Sequence, residues 1–249
     1  MRAPTYDALL AISARNAWDP AGIALDADAA RWTALPVDDA ARLRALVAAF
    51  VVGEEAVADH LAAIGRAATD PGLRACLAAQ EREEERHAAA VRRAWRALRA
   101  AEGGPDENAA AHAPAAIVAL FRERLPATVA RAAHELGEAV GLYHGLLEGV
   151  IFLAGQRELL ARARAAGLAG LHETFTRIER DERWHVALGV RALVDHPDGP
   201  AVAGRLAEEA DAVADAWGPL VAEATRREVA TLVARRARAV GLLPHRAPA

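Results

Sequence analysis

Two short strings in the 249-residue sequence set a glutamate and a histidine three positions apart: Glu84 with His87, and Glu182 with His185. On a helix that spacing puts both side chains on one face, about 5–6 Å apart at Cβ, which suits two ligands of a single metal ion. Each pair also falls where an apolar residue belongs. Leu77, Gln80, Glu84, His87, Val91 and Trp95 advance by three or four at each step. Leu171, Phe175, Ile178, Glu182, His185, Gly189 and Ala192 do the same. Both pairs are therefore expected to face a helical core.

Two single carboxylates are placed in the same manner. Glu54 lies four after Phe50 and three before Val57, so it shares their face. Glu55 is rotated about 100° further round and should lean away. Glu148 sits in the apolar run Y-H-G-L-L-E-G-V-I-F, three before Ile151 and four before Phe152. Burying four glutamates without partners is very costly. Two divalent or trivalent cations remove that cost, because carboxylate and imidazole are ligands such ions prefer. One Glu from each of two helices and Glu-x-x-His from each of two others is the ligand set of di-iron and di-manganese bundles. A lone Glu-x-x-His is common on solvated helix faces. Two in register with apolar stripes, and two more inward glutamates in alternate order, point to metal. A purely structural bundle would need all four glutamates neutral or exposed.

The elements that must carry these residues are helical. Ala, Leu, Arg and Glu are abundant, while aromatics are 4% of the chain, a mixture that favours helix over strand. Residues 1–37 read as an irregular lead-in broken by Pro4, Pro20, Gly22 and Pro36. A first long helix starts at Asp38 or Asp39 and ends at T-D-P-G (69–72), and a second follows it. The segment 101–108 reads as a loop, then comes a short helix to about Leu125 that Pro126 ends. A third long helix covers about 127–166, with Gly167 as its cap. A fourth covers about 168–195, and a last helix, kinked near Trp217 and Pro219, covers about 201–240. The expected fold is all-α: a single domain over 1–249, with a four-helix core at about 38–195 and an extra C-terminal helix.

Composition excludes several partners. The formal net charge is −4 with no basic block, so nucleic acid is not indicated. No uncharged apolar run of about 18 residues suggests a membrane span. The single cysteine, Cys76, forbids an internal disulfide and reads as a buried small residue. With no signal-peptide pattern at the N-terminus, the expected home is the cytoplasm.

The ligand order resembles the ferritin-like superfamily that includes ribonucleotide reductase small subunits and bacterial di-iron oxygenases. The strings G-E-E-A-V (53–57), E-E-R-H (84–87), Y-H-G-L-L-E-G-V (143–150) and R-D-E-R-W-H (180–185) are most similar to the ligand-binding oxidases with a mixed manganese/iron centre. That resemblance covers about 40–195. It implies two metal ions, Mn/Fe or alternatively Fe/Fe, one held by Glu54, Glu84 and His87, the other by Glu148, Glu182 and His185. It makes Glu84 and Glu182 the bridging carboxylates. It also implies an ether cross-link between Val57, three after the first Glu, and Tyr143, five before Glu148. The alternative is that Val57 is plain core and Tyr143 a buried tyrosine with a hydrogen-bond partner. The same comparison argues against ribonucleotide reduction. Val91 stands where a radical tyrosine would follow His87 by four, and the tail L-L-P-H-R-A-P-A has no Tyr. The run F-L-A-G-Q-R-E-L after Glu148 departs from the oxidases in lacking tyrosines, and the chain is somewhat short for them.

The activity this resemblance implies is an oxygen-activating oxidase acting on a bound apolar ligand such as a long-chain fatty acid, in a homodimer. The alternatives are a di-iron oxygenase of a biosynthetic pathway and a ferritin-like ferroxidase. Gly137, Gly141, Gly145 and Gly149 offer either room for a ligand or close helix packing. Arg180 and Asp181 are candidates to support the ligand histidines, as are His60, His134 and His144. His112, His172, His196 and His245 read as solvent-facing.

Overall fold

A computed structural model describes residues 3–104 and 108–242, and every regular element among them is helical. The expected lead-in is itself structured: α1 (Tyr6–Asn16), a 3-10 turn (Pro20–Gly22) and α2 (Asp26–Thr33) precede the bundle. Leu9, Ile23, Leu25 and Trp32 from this region join the core, and that packing outweighs the prolines that made the segment look irregular.

The first two bundle helices are α3 (Val37–Ala67) and α4 (Pro71–Ala101), packed along one another. Asp38 and Asp39 lie in the first turn of α3, and its N-cap residue, Pro36, makes no side-chain cap bond. Asp70 caps α4 through the Leu73 N–H, with Pro71 at the first helical position. Part of the expected 101–108 loop, residues 105–107, lies outside the described residues.

The crossover departs from the expected boundaries. Helical turns α5 (Ala115–Ala119) and α6 (Leu125–Val129) are joined by a π turn (Leu120–Arg124), and the chain stays helical past Pro126. Proline lacks an N–H to give, and at the start of α6 none is required of it. The third bundle helix starts at Leu136 rather than near 127. It comprises α7 (Leu136–Val140), a π-helical stretch over Gly141–Phe152, and α8 (Leu153–Ala165). This helix is long and apolar enough to cross a membrane, but 78% of its most apolar window is buried inside the protein; it is a core helix. It ends as expected at Gly167, with φ +68°. There the Leu168 N–H returns to Ala163 O and the Gly167 N–H to Arg164 O. The fourth bundle helix is α9 (Ala169–Asp195).

The C-terminal region is two helices rather than one kinked helix. α10 (Gly199–Ala214) and α11 (Glu223–Leu242) pack on each other across a tight turn containing Gly218 at φ +52°. Both lie on the third bundle helix and explain its glycines. A Cβ on Gly141 or Gly145 would meet Val202 or Leu206 of α10, and one on Gly149 would meet Arg236 of α11. These glycines serve close helix packing.

Candidate metal centre

Glu54 comes from α3, Glu84 and His87 from α4, Glu148 from the π stretch, and Glu182 and His185 from α9. All six are buried. The π stretch matters here. In an α-helix Tyr143 and Glu148 would point about 140° apart. The wider π turn, with its i→i+5 bonds, places residues five apart near one another. Every residue of the stretch except Gly145 is buried, Tyr143 and Glu148 among them.

The arrangement is nearly two-fold. Glu84 directs Oε2 to His87 Nδ1 at 3.4 Å and Oε1 to His185 Nδ1 at 3.2 Å. Glu182 directs Oε1 to His87 Nδ1 at 3.6 Å and Oε2 to His185 Nδ1 at 3.7 Å. Each of these carboxylates therefore reaches both histidines. Glu54 approaches only His87 (3.8 Å) and Glu148 only His185 (3.7 Å). Candidate ligand atoms cluster as Glu54, Glu84, His87 and Glu182 on one side, and Glu84, Glu148 and His185 on the other.

The outer nitrogens of both histidines are held by carboxylates from the opposite helix. His87 Nε2 faces Asp181 at 3.2 Å, and His185 Nε2 faces Glu83 at 2.9 Å. Donation from Nε2 fixes the tautomer and turns the Nδ1 lone pair inward. Asp181 also accepts from Trp18 Nε1 (2.8 Å) and Arg86 (3.1 Å). Glu83 accepts from Trp184 Nε1 (2.8 Å) and Ser13 Oγ (2.6 Å). The N-terminal segment thus closes over both supporting carboxylates.

The inner atoms lack such partners. Both oxygens of Glu54 and of Glu182, Glu84 Oε2, Glu148 Oε2 and the Nδ1 atoms of both histidines are buried without a hydrogen bond. Orphaned buried acceptors are rare, and here they converge. A pair of cations fits this donor set: four carboxylates and two imidazoles whose lone pairs face one centre. Titration behaviour agrees. Burial, with the neighbouring glutamates, pushes Glu54 and Glu148 well above the usual carboxylate range. Burial acts the same way on Glu84, but the two histidines overcome it and hold Glu84 well below that range. Burial alone would lower His87 and His185; the surrounding carboxylates raise both.

Val57 and Tyr143 border this cluster, both buried, with the Tyr143 hydroxyl 3.4 Å from the Val57 carbonyl oxygen. Burial and the nearby carboxylates raise the phenol's pKa well above its ordinary value. Glu55 leans away as helical phase predicts and pairs with Arg92 at the surface.

Among the supporting residues, Asp181 is in place, and Arg180 lies beside it, Nε 3.6 Å from Asp181 Oδ1, while also reaching Asn16 O. His60 contacts its own helix at Ala56 O, and His134 is exposed, so neither supports the centre. A helical approach to the bundle is not enough; their faces point elsewhere. His112 is half-buried, its ring against that of Trp95 rather than open to solvent, and His172 and His196 are half-buried too. His245 lies outside the described residues. Cys76 is buried, and desolvation raises its thiol to about 12, consistent with an inert role. Glu83, Trp18 and Ser13 escaped sequence reasoning. The available signal was an acidic residue immediately before each ligand Glu: Glu83 before Glu84 and Asp181 before Glu182. Trp18 and Ser13 carry no local signal, because only packing brings them there.

No family model matches the sequence, and no curated protein matches it. Solved structures do. The chain is similar to an R2-like ligand-binding oxidase from Sulfolobus acidocaldarius, at 23% identity over 96% of this chain and 92% of that one, with a TM-score of 0.80. It is similar also to an R2-like ligand-binding oxidase with an aerobically reconstituted Mn/Fe cofactor, at 20% identity over 94% and 92%, with a TM-score of 0.78. A likeness of that extent at that identity establishes the architecture: the chain has the all-α, ferritin-like fold of the R2-like ligand-binding oxidases.

Proposed function

We propose that this chain is an oxygen-activating dimetal oxidase that holds two ions, Mn/Fe or Fe/Fe, with Glu54, Glu84, His87, Glu148, Glu182 and His185. The observation that carries this reading is the convergence of unpartnered carboxylate oxygens and two Nδ1 atoms, with Glu84 and Glu182 each facing both histidines. Glu84 and Glu182, which face both histidines, would serve both ions, and Glu54 and Glu148 would each serve one. When bound, the metal pair supplies the electrons and Lewis acidity for reaction with dioxygen. The chain supplies the rest. Asp181 and Glu83 orient the imidazoles, and the surrounding Phe50, Val57, Leu147, Ile151 and Phe175 keep water out.

The similar structures are named ligand-binding oxidases, which supports a bound ligand; that it is an apolar molecule such as a long-chain fatty acid rests on the family resemblance of the sequence. Val57 and Tyr143 form an ether cross-link: the phenol oxygen bonds to the valine side chain, and two hydrogens leave with two electrons to dioxygen. Their burial side by side supports that step.

The test is reconstitution of metal-free protein with manganese and iron in air, followed by metal analysis and intact-mass measurement. Two metal ions per chain, with a mass lower by two hydrogens or an oxidised bound ligand, is the expected result. Metal uptake with iron turnover but no organic oxidation would make the chain a ferroxidase, and an amine or acyl product a biosynthetic oxygenase. Absence of metal uptake would refute the whole reading.

A further inference from the structure

The two terminal glutamates of the centre differ in their partners. Glu54 has no hydrogen-bond partner on either oxygen, whereas Glu148 Oε1 accepts from Gln80 Nε2 at 2.6 Å and leaves only Oε2 unpartnered. The same amide nitrogen donates to Glu84 Oε1 at 3.0 Å. Both N–H groups of Gln80 are thus directed to the His185 side, and no other carboxamide touches the six ligands among the described residues.

Gln80 is itself held. Its Oε1 lies 3.0 Å from His144 Nε2, and His144 Nδ1 lies 3.2 Å from Val140 O. An imidazole with one proton satisfies only one of two facing oxygens. Because the amide turns its nitrogen toward two carboxylates, its oxygen faces His144, and the Nε2–H tautomer is the one that would hold it there. The fold makes room for this ring. His144 lies four residues before Glu148 on the same buried face, and Gly189 on α9 has no side chain where a Cβ would strike the ring.

We propose that Gln80, oriented by His144, is a positioning residue that presets Glu148 and Glu84, so that the His185 position takes its ion first and more tightly than the His87 position. This rests on the dimetal reading above. A carboxylate already aligned loses less freedom on binding, and partners of ligand residues commonly change metal affinity roughly 10–100-fold. The near-symmetric ligand set is thereby made unequal, as a centre with two different ions requires.

The experiment uses the full chain, stripped of metal and given one equivalent of Mn(II) without oxygen. Anomalous scattering at the manganese edge reads the occupancy of each position, and calorimetry reads the affinities. Wild type is expected to fill the His185 position first. Gln80→Leu is expected to equalise the two occupancies and to weaken that position roughly 10–100-fold, and the His87 position, which shares only Glu84 with it, by less. His144→Phe keeps a ring but removes the nitrogen that orients the amide; it is expected to shift occupancy the same way by less, and it serves if the Leu variant does not fold. Nitrogen NMR of His144 is expected to show the Nε2–H tautomer. An unchanged occupancy ratio in both variants, or an Nδ1–H tautomer, overturns the proposal while two-metal binding stands. A wild type that takes up no manganese overturns both.

Discussion

Asp181→Asn separates the support of one metal position from the support of the other. The Asp181 carboxylate is buried and shared by His87, Trp18 and Arg86 at 3.2, 2.8 and 3.1 Å. Burial alone would raise its pKa. The hydrogen bond and charge of His87, then Trp18 and Arg86, outweigh burial and hold it at about 2, against an ordinary 3.8. At about 1.36 kcal/mol per unit, that shift is worth about 2 kcal/mol of folding free energy at neutral pH. The sign follows from a lowered carboxyl: the stabilisation is present above 3.8 and is lost as pH falls through about 2. Asparagine keeps the shape and removes the charge. Denaturant unfolding of the metal-free variant should therefore show a loss of about 2 kcal/mol, or a Tm lower by about 4–8 °C for a chain of this size. The variant should also lose the part of acid sensitivity that Asp181 supplies. Metal binding at the His87 position should weaken about 10–100-fold, because that imidazole has lost its anionic partner. The His185 position, held by Glu83, should keep its affinity. Equal weakening at both positions, or none at either, would refute the reasoning.

Three further outcomes follow from the same geometry. Glu84→Ala should abolish binding of both ions, since its two oxygens face both histidines, whereas Glu54→Ala should weaken only the His87 position; metal counts per chain distinguish the two. Glu54, Glu148, His87 and His185 have raised pKa values and must release protons to bind metal. In the metal-free protein their contribution is complete below the ordinary values and is lost as pH rises through the raised ones. Metal affinity should rise with pH, and the Tm gap between loaded and metal-free protein should widen from about pH 6 to about pH 8; a constant gap would contradict this. Gly155→Ala should cost about 1–3 kcal/mol, because the added Cβ would meet the rings of Trp217 and Phe50. Metal stoichiometry should stay unchanged, as measured by elemental analysis on the folded variant.

Much of the centre was legible in the chain itself. Glu84, His87, Glu182 and His185 stand in apolar stripes of helical period, and a polar residue in such a stripe must be buried. Period alone also chose Glu54 over Glu55, and the structure buries the first while the second pairs with Arg92. Asp181 was found from its place beside Glu182. The all-helical class followed from composition, and the ends of α4 and α9 from Asp70, Pro71 and the H-P-D-G-P break.

What the tertiary structure alone decided has a common physical cause: it depends on contacts between residues far apart in sequence. The lead-in became helical because Leu9, Ile23 and Trp32 found a core to enter. Trp18 and Ser13 reached Asp181 and Glu83 across 163 and 70 positions. Residues 199–242 pack back as two helices, with Val202 and Leu206 seated where Gly141 and Gly145 have no side chain. Tyr143 came round toward the face of Glu148 because the helix that carries it widened to a π turn, which shifts phase in a way no α-helical period reports. Spacing along the chain determines which side chains share a face; only packing between helices determines which of them meet.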